Sequence, residues 1–249
     1  MGATSPERYA VVSCHVERPL DDAVWARFSA LQGSRPGGFA VAALMRPPEA
    51  AFGEDEVTWV ARAREAVARG PLGHHTHWTA PDHARPTAPG AGERVREEGE
   101  RLRKLGLTPT LFCGGGWYTD ADVAEACAEL GYVDCTPRAS RPPYLGGGEE
   151  WASLSEAALV ELPSHGTLRA IPTTHSLGDL ARSLAARQLP SLVHVYFHDT
   201  DLLDRRRRVL LGVVLPLLAR RAQASDLDTL AAQMPAAATS LSWADVARL

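Results

Sequence analysis

Short apolar runs alternate with stretches of helical period along most of this chain. Tyr9 to Glu17 starts as an apolar strand and ends in polar residues, with Ser13, His15 and Glu17 on one face by the two-residue period. Pro19 stops it, and Asp21-Asp22 can cap a helix through Val24, Trp25 and Phe28 to Leu31. Gly33 to Gly38 reads as a turn, and Phe39 to Leu44 as a second strand closed by Pro47-Pro48. Glu54 to Arg69 carries Val57, Val60, Ala61, Arg64 and Val67 in a helical pattern, and Gly70 ends it. Gly70 to Trp78 then reads as a strand running into a loop, crowded with His74, His75 and His77. Strand alternation puts His75 and His77 on one face and His74 on the other.

The alternation continues. Ala80 to Gly92 is a Pro- and Gly-rich loop, of a length that often serves function. A charged helix over Glu93 to Leu105 is followed by a strand from Pro109 to Cys113, which runs into Gly114-Gly115-Gly116. That triplet lacks the lysine of a phosphate loop and reads as a tight turn. Asp120 starts a helix to Leu130, and Tyr132 to Cys135 is a short strand. Arg138 to Glu150 is irregular. Short strands are predicted at Val160 to Leu162 and Leu168 to Ile171, and a helix from Ser176 to Arg187. Leu192 to His198 is the clearest strand of the second half. Asp204 caps a helix to about Ala222, expected to break near Pro216. The tail repeats the pattern weakly, with a helix over 226–233, an extended stretch near Thr239, and Trp243 to Arg248.

Strand and helix in alternation predict parallel βα units. Seven or eight of them in 249 residues fit a closed (β/α) barrel, and no linker divides the chain, so residues 1–249 read as one domain. A formal net charge of -4 gives no sign of nucleic acid, and the run Arg205 to Arg208 reads as a solvated helix face. Four cysteines without a CxxC pair give no structural zinc pattern. The polar start, Met1 to Arg8, has no apolar segment, and no run is long enough to span a membrane. Reduced thiols and a cytoplasmic location follow as the default. Lys104 is the only lysine, so Schiff-base chemistry has one poor candidate in a charged helix.

In such barrels the working residues sit at the carboxyl ends of strands. The polar ends here are His15 and Glu17, His75 and His77, Cys113, and His198 with Asp199. Each alone is an ordinary solvated terminus. Together they would bring four histidines and two carboxylates to one mouth. Trp78, Trp117 and Tyr118 stand beside it in sequence and could stack on a sugar ring. His194 shares the face of Tyr196 and His198 and is expected deeper in the barrel.

The order of these segments resembles the NodB-homology polysaccharide deacetylase superfamily, the carbohydrate esterase family 4 type. His15-Val16-Glu17 resembles the first motif, an Asp-Val-Glu strand end. His75-Thr76-His77-Trp78-Thr79 resembles the second, His-Ser/Thr-x-x-His. Phe112 to Tyr118 resembles the third, a strand entering an Arg-x-Gly-Gly-like turn. Val195-Tyr196-Phe197-His198-Asp199 resembles the last, and Thr239 to Trp243 the closing segment. The likeness runs over roughly residues 9 to 248. Three usual residues are replaced: the base position holds His15, the second metal histidine is Thr79, and the third motif's arginine is Cys113.

The resemblance implies a distorted barrel of seven or eight strands and a hydrolase that removes an acyl group, such as N-acetyl, from a small molecule inside the cell. It implies a divalent metal on Glu17 and His75; with Thr79 in the second histidine position, His77 could complete a zinc site with them, and His83 is another possible ligand. His15 would be the base and His198 the acid, with Asp199 or Asp201 orienting it, while Trp78, Cys113, Trp117 and Tyr118 would face substrate. Two alternatives stay open on the same barrel: metal-free amide or ring hydrolysis, and a sugar-binding protein without catalysis.

Overall fold

The computed structural model describes residues 8–234 and 239–249. Residues 1–7, most of the stretch read above as a polar start, lie outside the described residues.

The strands are β1 (Tyr9–Val16), β2 (Ala42–Met45), β3 (Leu72–Thr76), β4 (Leu111–Gly114), β5 (Val133–Asp134), β6 (Trp151–Ala152), β7 (Ala158–Glu161), β8 (Thr167–Ala170), β9 (His175–Ser176), β10 (Leu192–His198), β11 (Gln223–Ala224), β12 (Ser240–Ser242) and β13 (Ala247–Arg248). The helices are α1 (Asp22–Ser34), α2 (Glu56–Val67), α3 (Ala91–Lys104), α4 (Ala121–Glu129), α5 (Leu177–Ala186), α6 (Arg205–Ala219), α7 (Leu227–Gln233) and α8 (Trp243–Val246). Asp21, Asp55, Asp120, Asp204 and Asp226 cap α1, α2, α4, α6 and α7 by accepting backbone N–H groups of the first turn.

The main sheet runs β12-β7-β8-β5-β4-β3-β2-β1-β10-β9, parallel except for the β7–β8 pair. It closes on itself. The single stretch Thr167 to Ser176 pairs with β5 through β8, then with β10 through β9. Its amides at Ile171 and Thr173 donate to Asp134 and Pro137, while Thr174 donates to His194 on the other side. Seven strands therefore form a ring: β1, β2, β3, β4, β5, the β8–β9 stretch, and β10.

Alternation along each strand sorts the core. Val11, Ala42, Leu44, Leu111, Cys113, Val133, Cys135, Ile171 and Leu192 form the interior cluster. Leu227 and Leu230 of α7 join it and plug the amino-terminal end. The outward residues Ala10, Val12, Cys14 and Val16 pack instead with α1, α2, α5 and α6. A third cluster lies under α3 and α4. The carboxyl end of the ring is left for polar groups.

One helix differs from expectation. α6 continues through Pro216 and ends at Ala219. The missing N–H and the ring clash cost about 3 kcal/mol. Burial of Leu211, Val214, Leu215 and Leu218 on both sides of the proline supplies roughly 1.5–3 kcal/mol each, which outweighs it.

Candidate metal centre

β1 and β3 deliver the central groups. His75 is the last inward residue of β3, and His77 continues the same phase one step beyond it. His75 Nδ1 donates to the Cys113 carbonyl at 2.7 Å, and His77 Nδ1 donates to the Pro81 carbonyl at 2.7 Å. Each main-chain acceptor fixes its ring in the tautomer whose Nε2 carries a lone pair. The two Nε2 atoms face each other at 3.3 Å. Glu17 Oε1 lies 3.7 Å from His75 Nε2 and 3.6 Å from His77 Nε2.

With both rings in that tautomer, three electron-pair donors converge on one point. Burial alone would raise the Glu17 carboxyl, but its contacts with His75 and His77 and the nearby His198 outweigh that and hold it well below the usual range. Burial lowers His75, against the opposing pull of Glu17. Carboxylate and neutral imidazole are the forms that bind a cation. A tetrahedral ion with ligand distances of about 2.0–2.1 Å spaces its ligands about 3.3–3.4 Å apart. The observed separations of 3.3 to 3.7 Å fit that edge.

Two other groups of donors come within 4.8 Å of one another: His15 with His75 and Cys113, and His15 with Glu17 and His198. The first is chemically poorer. Burial pushes the Cys113 thiol well above its ordinary value, so it stays protonated.

His15 is buried at the centre of the mouth. Its ring lies 4.7 Å from His75, 5.1 Å from Trp117, 5.4 Å from Tyr196 and 5.2 Å from His198. Burial first, then the neighbouring imidazoles, lower its pKa well below 6.5, so it is neutral. His198 is partly exposed, with Nε2 3.6 Å from Glu17 Oε1. A cavity of about 650 Å³ opens above these residues, lined among others by His15, Glu17, His75, Trp117, Tyr196 and His198.

Several expected site residues stand elsewhere. Asp199 is fully buried, and its carboxylate accepts the backbone N–H groups of Arg18 and Thr200, each at 2.8 Å. It ties the ends of β1 and β10 together and does not orient the His198 ring. Asp201 accepts the His198 backbone N–H and pairs with Arg207. Trp78 donates to the Gly115 carbonyl and packs edge-on to Tyr118, whose hydroxyl donates to Asp120. Both rings belong to the cluster under α3 and α4: Trp78 keeps the outward phase of His74 and Thr76, opposite to His75 and His77, and Tyr118 follows the turn at Gly115–Trp117. Cys113 is fully buried inside the ring, with Sγ 3.7 Å from His15 Nε2. Of the four proposed substrate contacts, Trp117 is the one in the cavity wall. His83 is exposed and bonded to Asp82. Thr79 donates to the Arg85 carbonyl and so holds the loop after β3. His74 faces the opposite way, against Glu98 and Thr76, and His194 lies inside the ring on Ser13.

The loop from Ala80 to Gly90 forms one wall through Asp82 to Thr87. Arg85 fastens it, donating to the Gly116 and Glu150 carbonyls and pairing with Glu149. Tyr144 and Tyr196 complete the wall. No motif pointed to Tyr144 or Glu149, which lie on an irregular segment, whereas Arg85 belongs to the Pro- and Gly-rich loop whose length suggested function. Tyr196 was findable by its phase with His198.

No family model and no curated protein matches this chain. Among solved structures it is similar to the 4-alpha-glucanotransferase from Thermococcus litoralis, with a TM-score of 0.61 at 11% identity over 95% of this chain. The chain spans 42% of the length of that protein. At that identity the likeness speaks to the fold, which is a mostly parallel α/β barrel.

Proposed function

We propose that this protein is a metal-dependent hydrolase of the polysaccharide deacetylase type, which releases an acyl group from an N-acylated small molecule. The observation that carries the reading is the convergence of Glu17, His75 and His77, with both imidazole tautomers set by main-chain carbonyls. Glu17, His75 and His77 would hold a divalent ion such as zinc. When bound, such an ion supplies polarisation of the substrate carbonyl and a water acidic enough to react at neutral pH.

The remaining steps fall to the chain. Amide hydrolysis removes a proton from water and delivers one to the departing amine. His15, buried and neutral beside His75, takes the first proton. His198, on the rim beside Glu17 and open to the cavity, delivers the second. Trp117 and Tyr196 exclude water on one side and offer flat surfaces to a ring. The cavity volume suits a small ligand.

The test has two parts. Metal content of purified protein is compared with that of Glu17→Ala and His77→Ala. Acetate release is then followed over a panel of N-acetylated amino sugars. Equal trace metal in all three proteins sinks the metal centre. No release with any divalent ion, alongside binding that is unchanged in His15→Ala, turns the reading into a non-catalytic sugar binder.

A further inference from the structure

Glu17 faces more imidazoles than one ion reaches. Its Oε1 lies 3.7 Å from His75 Nε2, 3.6 Å from His77 Nε2 and 3.6 Å from His198 Nε2. Yet His198 stays outside the group that Glu17 forms with His75 and His77, whose donor atoms all lie within 4.8 Å of one another. It belongs to a second group of the same kind, made of His15, Glu17 and His198. The carboxylate is the member common to both. With two oxygens and about four lone-pair directions, a carboxylate can serve two ions at once. Two imidazoles and one carboxylate are a donor set that zinc accepts.

Strand register builds this second set. β1 and β10 are parallel neighbours, and His15 is paired directly with His198. Paired residues present their side chains to the same face, so the two rings stand side by side, 5.2 Å apart and edge to face. His15, Glu17 and His198 all line the cavity, so an ion from solvent meets them without passing through the core. The His198 and Glu17 side chains are 35% and 28% exposed, against 2% and 3% for His75 and His77. This is therefore the outer of two positions, and it is the weaker. A single carboxylate charge faces two divalent ions, which repel each other. The inner imidazoles are held by the Cys113 and Pro81 carbonyls. Second partners of that kind are worth roughly 10- to 100-fold in metal affinity. Among the described residues the His15 ring has only a 3.7 Å contact with Cys113 Sγ in that role.

We infer that His15, Glu17 and His198 form a second, weaker site for a divalent cation, beside the first and sharing Glu17 with it. Filling it engages the lone pairs of the two imidazoles assigned above to proton transfer. An excess of the cation then inhibits the reaction that one equivalent supports. The inhibition rests on the hydrolase reading; the second site rests on the donor geometry alone.

The experiment counts bound metal, so it stands apart from turnover. Cobalt(II) is titrated into metal-free protein by equilibrium dialysis. Two equivalents are expected, the second at least about tenfold weaker than the first. His15→Ala and His198→Ala should each keep the first and lose the second, and His77→Ala should lose the first. His198 is on the rim, so its variant folds even where removal of the buried His15 ring disturbs the barrel. One equivalent in the wild type overturns the second site and leaves the first standing. A second equivalent that survives in both His15→Ala and His198→Ala overturns it too, because that ion lies elsewhere. Electron paramagnetic resonance gives an independent reading. The second cobalt should weaken the signal of the first through the shared carboxylate, and a signal that merely doubles overturns the sharing. Acetate release should rise up to one equivalent and fall as the second binds. Two equivalents with no release at any ratio would refute the hydrolase alone, and full release with both positions filled would refute the inhibition alone.

Discussion

Asp134 carries a penalty that can be measured directly. It sits at the end of β5, fully enclosed. Oδ1 accepts the Thr136 N–H at 2.8 Å, and Oδ2 has no partner. Burial pushes its carboxyl up to about 6 from 3.8, against the weaker pull of the Thr136 bonds. Above pH 6 the folded protein must ionise a group it disfavours, and at 1.36 kcal/mol per pH unit the gap corresponds to roughly 3 kcal/mol. The sign follows from proton binding. Between 3.8 and 6 the folded state holds a proton that the unfolded chain has released, so this group's contribution to stability rises as pH falls through that window and is flat above it. Asp134→Asn keeps the Thr136 bond and removes the titration. Its amide N–H₂ takes the unpartnered position, at a cost of about 1–3 kcal/mol that does not depend on pH. The absolute effect of the substitution is therefore ambiguous, but its pH dependence is not. Relative to wild type, Asp134→Asn should be more favourable at pH 8 than at pH 5 by about 1.4 kcal/mol, since about half of the penalty is already relieved at pH 5. Urea unfolding at the two pH values gives the difference. Parallel curves, agreeing within about 0.3 kcal/mol, would refute the claim that this carboxyl is ionised in a dry site.

All four cysteines are buried, and burial raises each thiol well above its ordinary value. A disulfide reagent at pH 8 should titrate none of them in the native protein and all four after denaturation; a fast native reaction would contradict the enclosed Cys113. His74→Ala should lower stability by about 2–5 kcal/mol, since it empties a packed site beside Glu98, yet leave zinc uptake as it is, because the ring points away from Glu17. A Cβ at Gly92 would stand 2.4 Å from the Asp122 carboxyl and 2.6 Å from its backbone oxygen. Gly92→Ala should therefore force α3 from α4 and cost about 1–3 kcal/mol in thermal or urea unfolding, and a neutral result would mean the two helices can slide apart freely.

The parts of the site that follow from backbone period were legible in the sequence. The faces of His74, His75 and His77, the depth of His194 and the inward set of β1 depend only on alternation, and the structure has them as the pattern requires. Trp78 was misplaced because it is next to His77 and so on the opposite face, and Tyr118 because it follows the turn at Gly115–Trp117, through which two-residue phase does not pass. Asp199 was misread for a related reason: it is next to His198 in sequence and so on the opposite face. Arg138 and Tyr144 left no trace at all, and Arg85 only the length of its loop. They come from segments whose positions are set by long-range contacts, such as the pairing of Arg138 with Ala152 and Leu154. Barrel closure was legible from the number of βα units, but the place where the ring closes was not, since no local pattern says that one stretch will pair with two different neighbours.

The two carbonyls that hold His75 and His77 belong to the main chain of Cys113 and Pro81. A main-chain acceptor is present whatever side chain is attached to it. Position 113 can therefore change its side chain, and so can position 81 where the loop path is kept, without turning either imidazole. The donor geometry is insulated from sequence drift around it. The side chains around the mouth can therefore change while the His75 and His77 pair keeps its orientation.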